Sequence, residues 1–117
     1  MEINEFDILS VGVDVGSSTS HLVFSNLFLK KDARSDTKRF KIYKRRIVYE
    51  GRIIHTPFSD DKTLDINSLT EFFKAEYKRA GIDPVDIQTG AVIVTGESAR
   101  KKNARQIAEA LSNDAGK

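Results

Sequence analysis

The chain of 117 residues carries 19 Lys and Arg against 17 Asp and Glu, a formal net charge of +2, and has no cysteine. A domain of this size buries roughly two-thirds of the surface its unfolded chain exposes, so one core is expected. The balanced charge argues against a whole-chain nucleic-acid binder and the lack of cysteine excludes disulfides and thiolate metal sites, while the acidic start "MEINEFD" and the short apolar runs lack the layout of a signal peptide or a bilayer span, so a soluble, cytoplasmic protein is expected.

In "ILSVGVDV" the residues Leu9, Val11, Val13 and Val15 share one parity and Ser10, Gly12 and Asp14 the other, which is the pattern of a strand. Period two sends Asp14 to the face opposite the valines, beside two small residues. The turn "GSST" leads into "SHLVFSNLFL", so the pair reads as a β-hairpin with a polar tip. "KKDARSDTKR" has no apolar period and reads as a solvated loop, and "FKIYKRRIVYEGRIIHTPF" reads as a long strand, bent at Gly51 and ended at Pro57.

The period then changes. Leu69, Phe72, Phe73, Tyr77 and Ala80 form one stripe of a helix over Asn67 to Ala80, with Asn67 or Asp65 as N-cap and Gly81 as the stop. "GAVIVTGE" is almost wholly apolar, which predicts a strand covered on both faces. A second helix is predicted from about Ser98 to Leu111, with Ala104, Ile107, Ala108 and Leu111 on its buried face. The order β-β-β-α-β-α implies an α/β mixed sheet backed by helices, with no repeat or linker. The chain stops at "SNDAGK", where an α/β unit would continue into another parallel strand, so it reads as an N-terminal fragment, incomplete at its C-terminus.

Asp14-Val15-Gly16-Ser17-Ser18-Thr19 has the makings of a phosphate cradle. Successive N–H groups in a turn of small residues act as fixed partial positive charges, Gly16 permits close approach, and the hydroxyls of Ser17, Ser18 and Thr19 add donors. Asp14 would be repelled by phosphate and would instead hold Mg²⁺ through water, an ion that keeps most of its hydration. The same residues also suit an ordinary hairpin turn with a local Asp14 hydrogen bond. Neither G-x-x-x-x-G-K-[ST], G-x-G-x-x-G nor G-x-S-x-G occurs.

Thr95, Gly96 and Glu97 lie at the carboxyl end of a predicted parallel strand, where open α/β sheets bind ligands, and Glu97 could there approach Asp14; a plain strand-to-helix turn explains them as well. The basic strip from 30 to 46 could meet an acidic partner or nucleic acid, or be the wet side of an edge strand. His21 and His55 lack ligand-like companions in the sequence.

Taken together, "VGVDVGSSTSHLVFS", "VYEGRIIHTPF" and "GAVIVTGESARKKNA" resemble the EutA family of ethanolamine ammonia-lyase reactivating factors, over about Leu9 to Gly116. The first block is shared with the phosphate-1 loop of the wider actin, hexokinase and heat-shock-chaperone ATPases. The third, with Thr95-Gly96-Glu97, Ala99-Arg100-Lys101 and Asn103-Ala104, is more specific to the family. The resemblance implies an actin-like ATPase fold with ribonuclease-H-like lobes, of which residues 1–117 are the N-terminal part of the first lobe and the second lobe is absent. It implies that Asp14 faces Mg²⁺ and that Gly16, Ser17, Ser18 and Thr19 surround the phosphates of ATP. It further implies a chaperone-like, ATP-dependent reactivase whose partner is the adenosylcobalamin-dependent ethanolamine ammonia-lyase, with exchange of damaged cobalamin as the outcome.

Two other readings share these residues. A ribonuclease-H-like nuclease would use Asp14 and Glu97 as carboxylates of a two-metal site, although two-metal chemistry does not require the hydroxyl-rich turn. A non-catalytic scaffold would keep the fold and only dock a partner. No counterpart of the second phosphate loop or the adenosine pocket occurs here, and a cleft needs two walls. Residues 1–117 alone are therefore expected to bind Mg-ATP weakly or not at all, to hydrolyse none, and to be prone to self-association. Titration calorimetry yielding micromolar affinity would refute the first expectation.

Overall fold

The computed structural model describes residues 4–31, 39–60 and 63–114. The strands are β1 (Glu5–Val15), β2 (Thr19–Lys31), β3 (Phe40–Glu50), β4 (Ile54–His55), β5 (Phe58–Asp60), β6 (Thr63–Leu64) and β7 (Thr89–Val94). The helices are α1 (Ile66–Ala80) and α2 (Ala104–Asp114), with 3-10 turns at Pro84–Asp86 and Gly96–Arg100. One sheet has the order β3-β2-β1-β7, with β4 paired to β2, and β5 and β6 make a small ribbon of their own. β1 runs antiparallel to β2 and parallel to β7, which makes the sheet mixed.

The strand parity read from the sequence builds the core. Val11, Val13 and Val15 are buried together with Leu22 and Phe24 of β2, against Leu69, Phe73 and Tyr77 of α1 and Ile107 and Leu111 of α2. Ser10, Gly12 and Asp14 consequently lie on the other face. Asp65 is the N-cap of α1, its carboxylate accepting from the Ser68 amide at 3.1 Å and the Ser68 hydroxyl at 2.7 Å, and Gly81 closes the helix with its amide on the Lys78 carbonyl.

Four expectations need correction. The segment from Phe40 to Phe58 is not one bent strand, because β3 ends at Glu50 and two short strands follow. At the break the Gly51 amide donates to the Leu22 carbonyl, and a Cβ there would lie 2.5 Å from Leu22 Cδ2, so only glycine lets the two backbones meet. β7 is covered on one face only, with Ala91 and Ile93 exposed, because both helices lie on the valine side. The second helix begins at Ala104 rather than near Ser98, a 3-10 turn taking up the residues between. Lys30 and Lys31 belong to β2, and residues 32–38 of the predicted loop lie outside the described residues.

The buried face of α1 holds one charge that the apolar stripe conceals. The Glu76 side chain is fully buried and accepts from the Arg52 amide at 2.7 Å, from Arg52 Nε at 2.9 Å and Nη2 at 2.7 Å, and from the Tyr49 hydroxyl at 3.4 Å. Burial alone would raise the Glu76 carboxyl, but the hydrogen bonds and charge of Arg52 outweigh it and hold the group below the ordinary carboxylate range. This clamp fixes the chain just after the Gly51 break to α1.

A carboxyl whose folded pKa is depressed contributes stability above its unfolded pKa and loses that contribution as pH falls through the folded value. Glu76→Gln is therefore expected to cost about 1.5–3 kcal/mol at neutral pH, the range for hydrogen bonds to charged groups, and to flatten the acid limb of stability against pH. Urea denaturation between neutral pH and the acid range checks both; an unchanged acid limb would show that the clamp does not titrate with folding.

Candidate functional site

Three segments converge at the ends of β1 and β7. The parallel register sets Asp14 beside Ile93 and Val15 beside Val94, and the Thr95 amide prolongs the ladder by donating to the Val15 carbonyl at 2.9 Å. The end of β7 is thereby brought to the β1–β2 turn. On the other side Thr19 and Ser20 pair with His55 and Ile54 of β4, and the Thr56 amide donates to the Ser18 carbonyl at 2.8 Å.

The turn itself is held at the Gly16 carbonyl. That oxygen accepts from the Thr56 hydroxyl at 2.8 Å and from the Ser98 hydroxyl at 2.7 Å, while the Gly16 amide donates to the Thr19 carbonyl at 3.0 Å. Ser20 Oγ lies 2.8 Å from Thr56 Oγ1. Because the Thr56 hydrogen is directed at Gly16, the Ser20 hydroxyl is the donor in that pair. Ser20, Thr56 and Ser98 are all buried, and each is satisfied by this network.

Gly96 closes the arrangement. Its φ of +61° is left-handed, and a Cβ there would fall 1.8 Å from Ser17 Oγ, which accepts from the Glu97 amide at 2.8 Å. Any larger residue would both strain the backbone and displace the turn.

The structure thus joins the two sequence candidates at one rim: Gly16, Ser17 and Ser18 form the turn, Thr19 starts β2, and Thr95, Gly96 and Glu97 lie against them. Ser17, Ser18 and Thr19 are exposed, and among the described residues the Ser17 and Ser18 amides donate to no protein acceptor. Asp14, one residue before the end of β1, is half-buried, and its Oδ1 is buried with no hydrogen-bond partner among the described residues. A shielded carboxylate oxygen without a donor is a costly group that a hydrated cation would satisfy.

Glu97 does not complete a metal site. Its carboxylate is exposed and lies 3.5 Å from Arg100 Nη1, and no three His, Asp or Glu side chains gather to hold a metal among the described residues. One carboxylate fits Mg²⁺ bound through water and phosphate; it does not fit a two-metal nuclease centre, and that reading finds no support. His21 pairs across the strands with Asp14 and His55 with Thr19, and neither enters a metal cluster among the described residues.

Thr56 and Ser98 escape a reading of the sequence, since nothing in their local pattern shows that one carbonyl 40 and 82 residues away will require their hydroxyls.

The family described as "Ethanolamine utilisation protein EutA" matches residues 6–117. The chain belongs to the EutA family. Two curated relatives, each named ethanolamine ammonia-lyase reactivase EutA, are 36% identical in Escherichia coli and 37% identical in Salmonella typhimurium, over 97% of this chain. The chain spans 25% of their length. Among solved structures it is similar to the Aquifex aeolicus PPX-GPPA enzyme, with a TM-score of 0.59 at 18% identity over 96% of this chain and 34% of that one. The type II variant of the Aquifex aeolicus Ppx/GppA phosphatase gives a TM-score of 0.55 at 16% identity, covering 93% and 33%. These likenesses establish the fold alone: the mixed α/β sheet backed by helices is shared with the Aquifex aeolicus Ppx/GppA proteins. Among the described residues no helix of this EutA-family chain is long and apolar enough to cross a membrane.

The two donors to Gly16 should be interdependent. Thr56→Val and Ser98→Ala are each expected to destabilise by about 1–2 kcal/mol, and the double variant by more than the sum, since it leaves the carbonyl with neither donor. A double-mutant cycle in urea checks this; additive losses would show that the two donors do not share one acceptor in solution.

Proposed function

We propose that this chain supplies the first phosphate-binding hairpin of a reactivating factor for ethanolamine ammonia-lyase. The observation that carries the geometric part is the shielded, partnerless Asp14 Oδ1 beside a turn with two unengaged amides. The partner is taken from the name of the relatives, which are four times longer than the stretch they share with this chain.

On this reading Asp14 holds Mg²⁺ through water, and Gly16, Ser17, Ser18 and Thr19 receive the phosphates of ATP through backbone amides and hydroxyls. Mg-ATP supplies a change of charge at the rim when its terminal phosphate is present or lost. The residues of this chain convert that change into position. Ser17 is tied to the Glu97 amide, and Gly16 to Thr56 and Ser98, so a displaced turn moves the end of β7 and the chain leading to α2. Nucleotide state would then bias lobe closure in the whole protein, and a differential affinity of the open and closed forms for the lyase would loosen the site holding damaged cobalamin. Work in the cytoplasm, and self-association of residues 1–117 through the outer edge of β7, unpaired among the described residues, belong to the same reading.

In the full-length protein, Asp14→Asn keeps the shape of the side chain and removes its charge. It is expected to weaken Mg-dependent ATP binding by at least about tenfold with unchanged far-UV circular dichroism. Calorimetry that found equal affinity in the variant would sink the Mg²⁺ assignment. A variant that lost ATP binding yet rescued the lyase in full would instead favour the scaffold.

A further inference from the structure

Between α1 and α2, on the valine face of the sheet, lies a cleft of about 400 Å³. Val13 of β1 is its floor, and Phe73 and Tyr77 of α1 and Leu111 of α2 are its walls. Protein interiors are packed to the density of organic crystals, so a gap of this size forfeits dispersion contacts along both walls. Water recovers little of that loss, because apolar walls offer it no hydrogen-bond partners. The volume is in the range of small-molecule sites.

Burial selects the shape of the occupant. Val13 is 3% exposed, Phe73 4%, Tyr77 7% and Leu111 3%. A partner helix or strand docks on side chains that stand out from a surface, and these are withdrawn between two helices. What reaches them is slender, such as a hydrocarbon chain. On the scale of about 30 Å³ for one water-sized group, the cleft admits roughly a dozen such groups.

Charge selects its chemistry. Thr70, Lys74 and Lys78 also line the cleft, and their spacing of four places them in one row along α1. Both lysines are exposed. A lysine stem lies readily along apolar surface with its ammonium group in water, which sets two cations at the mouth of an apolar interior. Among the described residues neither lysine has an ion pair with an acid, even with Glu71 one turn before Lys74. The neighbouring Asp83 carboxylate accepts from the Val85 amide at 3.0 Å and does not line the cleft. The helix C-terminus favours Lys78, which lies in the last turn, but not Lys74, and like charges four residues apart repel. An anion shared by the two relieves that repulsion.

We propose that the cleft between α1 and α2 binds an anionic amphiphile, an unbranched hydrocarbon chain seated over Val13 with its carboxylate held at the mouth by Lys74 and Lys78. The site is on the face of the sheet opposite Asp14 and does not depend on the nucleotide reading.

The test uses the full-length protein and titration calorimetry, with decanoate as the probe and decan-1-ol as its uncharged counterpart. Wild type is expected to bind decanoate saturably, more tightly than the alcohol, and with the negative heat-capacity change of apolar burial. Thr70→Trp fills the cleft from its rim and is expected to abolish binding of both, with unchanged far-UV circular dichroism; Thr70→Phe serves if that variant does not fold. Lys74→Gln/Lys78→Gln is expected to weaken decanoate about fivefold and to leave the alcohol unaffected, the scale of two exposed ion pairs. No decanoate binding by wild type overturns the proposal, as does binding that survives both the filled cleft and the removed charges. An alcohol bound as tightly as the acid overturns it too, since the lysines then recognise nothing. Adsorption to phosphatidylglycerol vesicles without binding of monomeric decanoate would show a membrane-facing surface and would likewise overturn it.

Discussion

The candidate site depends on a single carbonyl oxygen. Gly16 sits at the turn between the first two strands, and its oxygen receives hydroxyls from Thr56 and Ser98, residues that follow β4 and β7 respectively. Two donors on one acceptor draw three chain segments to a common point, and the parallel pairing of β1 with β7 is what makes Ser98 available there. Without that pairing the hairpin would be an ordinary tip on an extended ribbon. With it, Ser17, Ser18 and Thr19 stand on a rim whose far wall is Thr95 to Glu97, and Asp14 lies just beneath.

The scaffold below the rim is stiffened by a buried charge. Glu76 on α1 receives the backbone and guanidinium of Arg52, directly after the glycine at which β3 breaks. The desolvation of this carboxylate is offset by four donor groups, and the result is a fixed exit angle for the chain that carries β4 and then Thr56. The two polar clusters are therefore in series. One sets the path of the segment from Gly51 to Thr56, and the other uses the end of that segment to hold the turn from Gly16 to Ser18.

The two faces of the sheet divide the work. The valine face is closed by α1 and α2 and supplies the stability of the domain. The opposite face carries the half-buried Asp14 near one end of β1 and the exposed Phe6 near the other, with Ser10 and Gly12 between them.

Much of this was legible in the sequence. Alternation assigned Leu9 to Val15 to opposite faces, helical spacing located α1 within two residues, and the Asp14 to Thr19 run with the Thr95 to Glu97 turn marked both halves of the rim. These features depend on neighbours a few residues away, which period and turn chemistry report. Tertiary structure alone decided that one glycine would split the segment after Phe40, because the obstacle is Leu22 on another strand. It alone made Glu76 a clamp rather than a flaw in an apolar stripe, and made Thr56 and Ser98 the supports of Gly16. Each of those roles is a hydrogen bond or a steric limit between residues far apart in the chain, and a linear pattern holds no record of which distant groups folding will bring within 3 Å of one another.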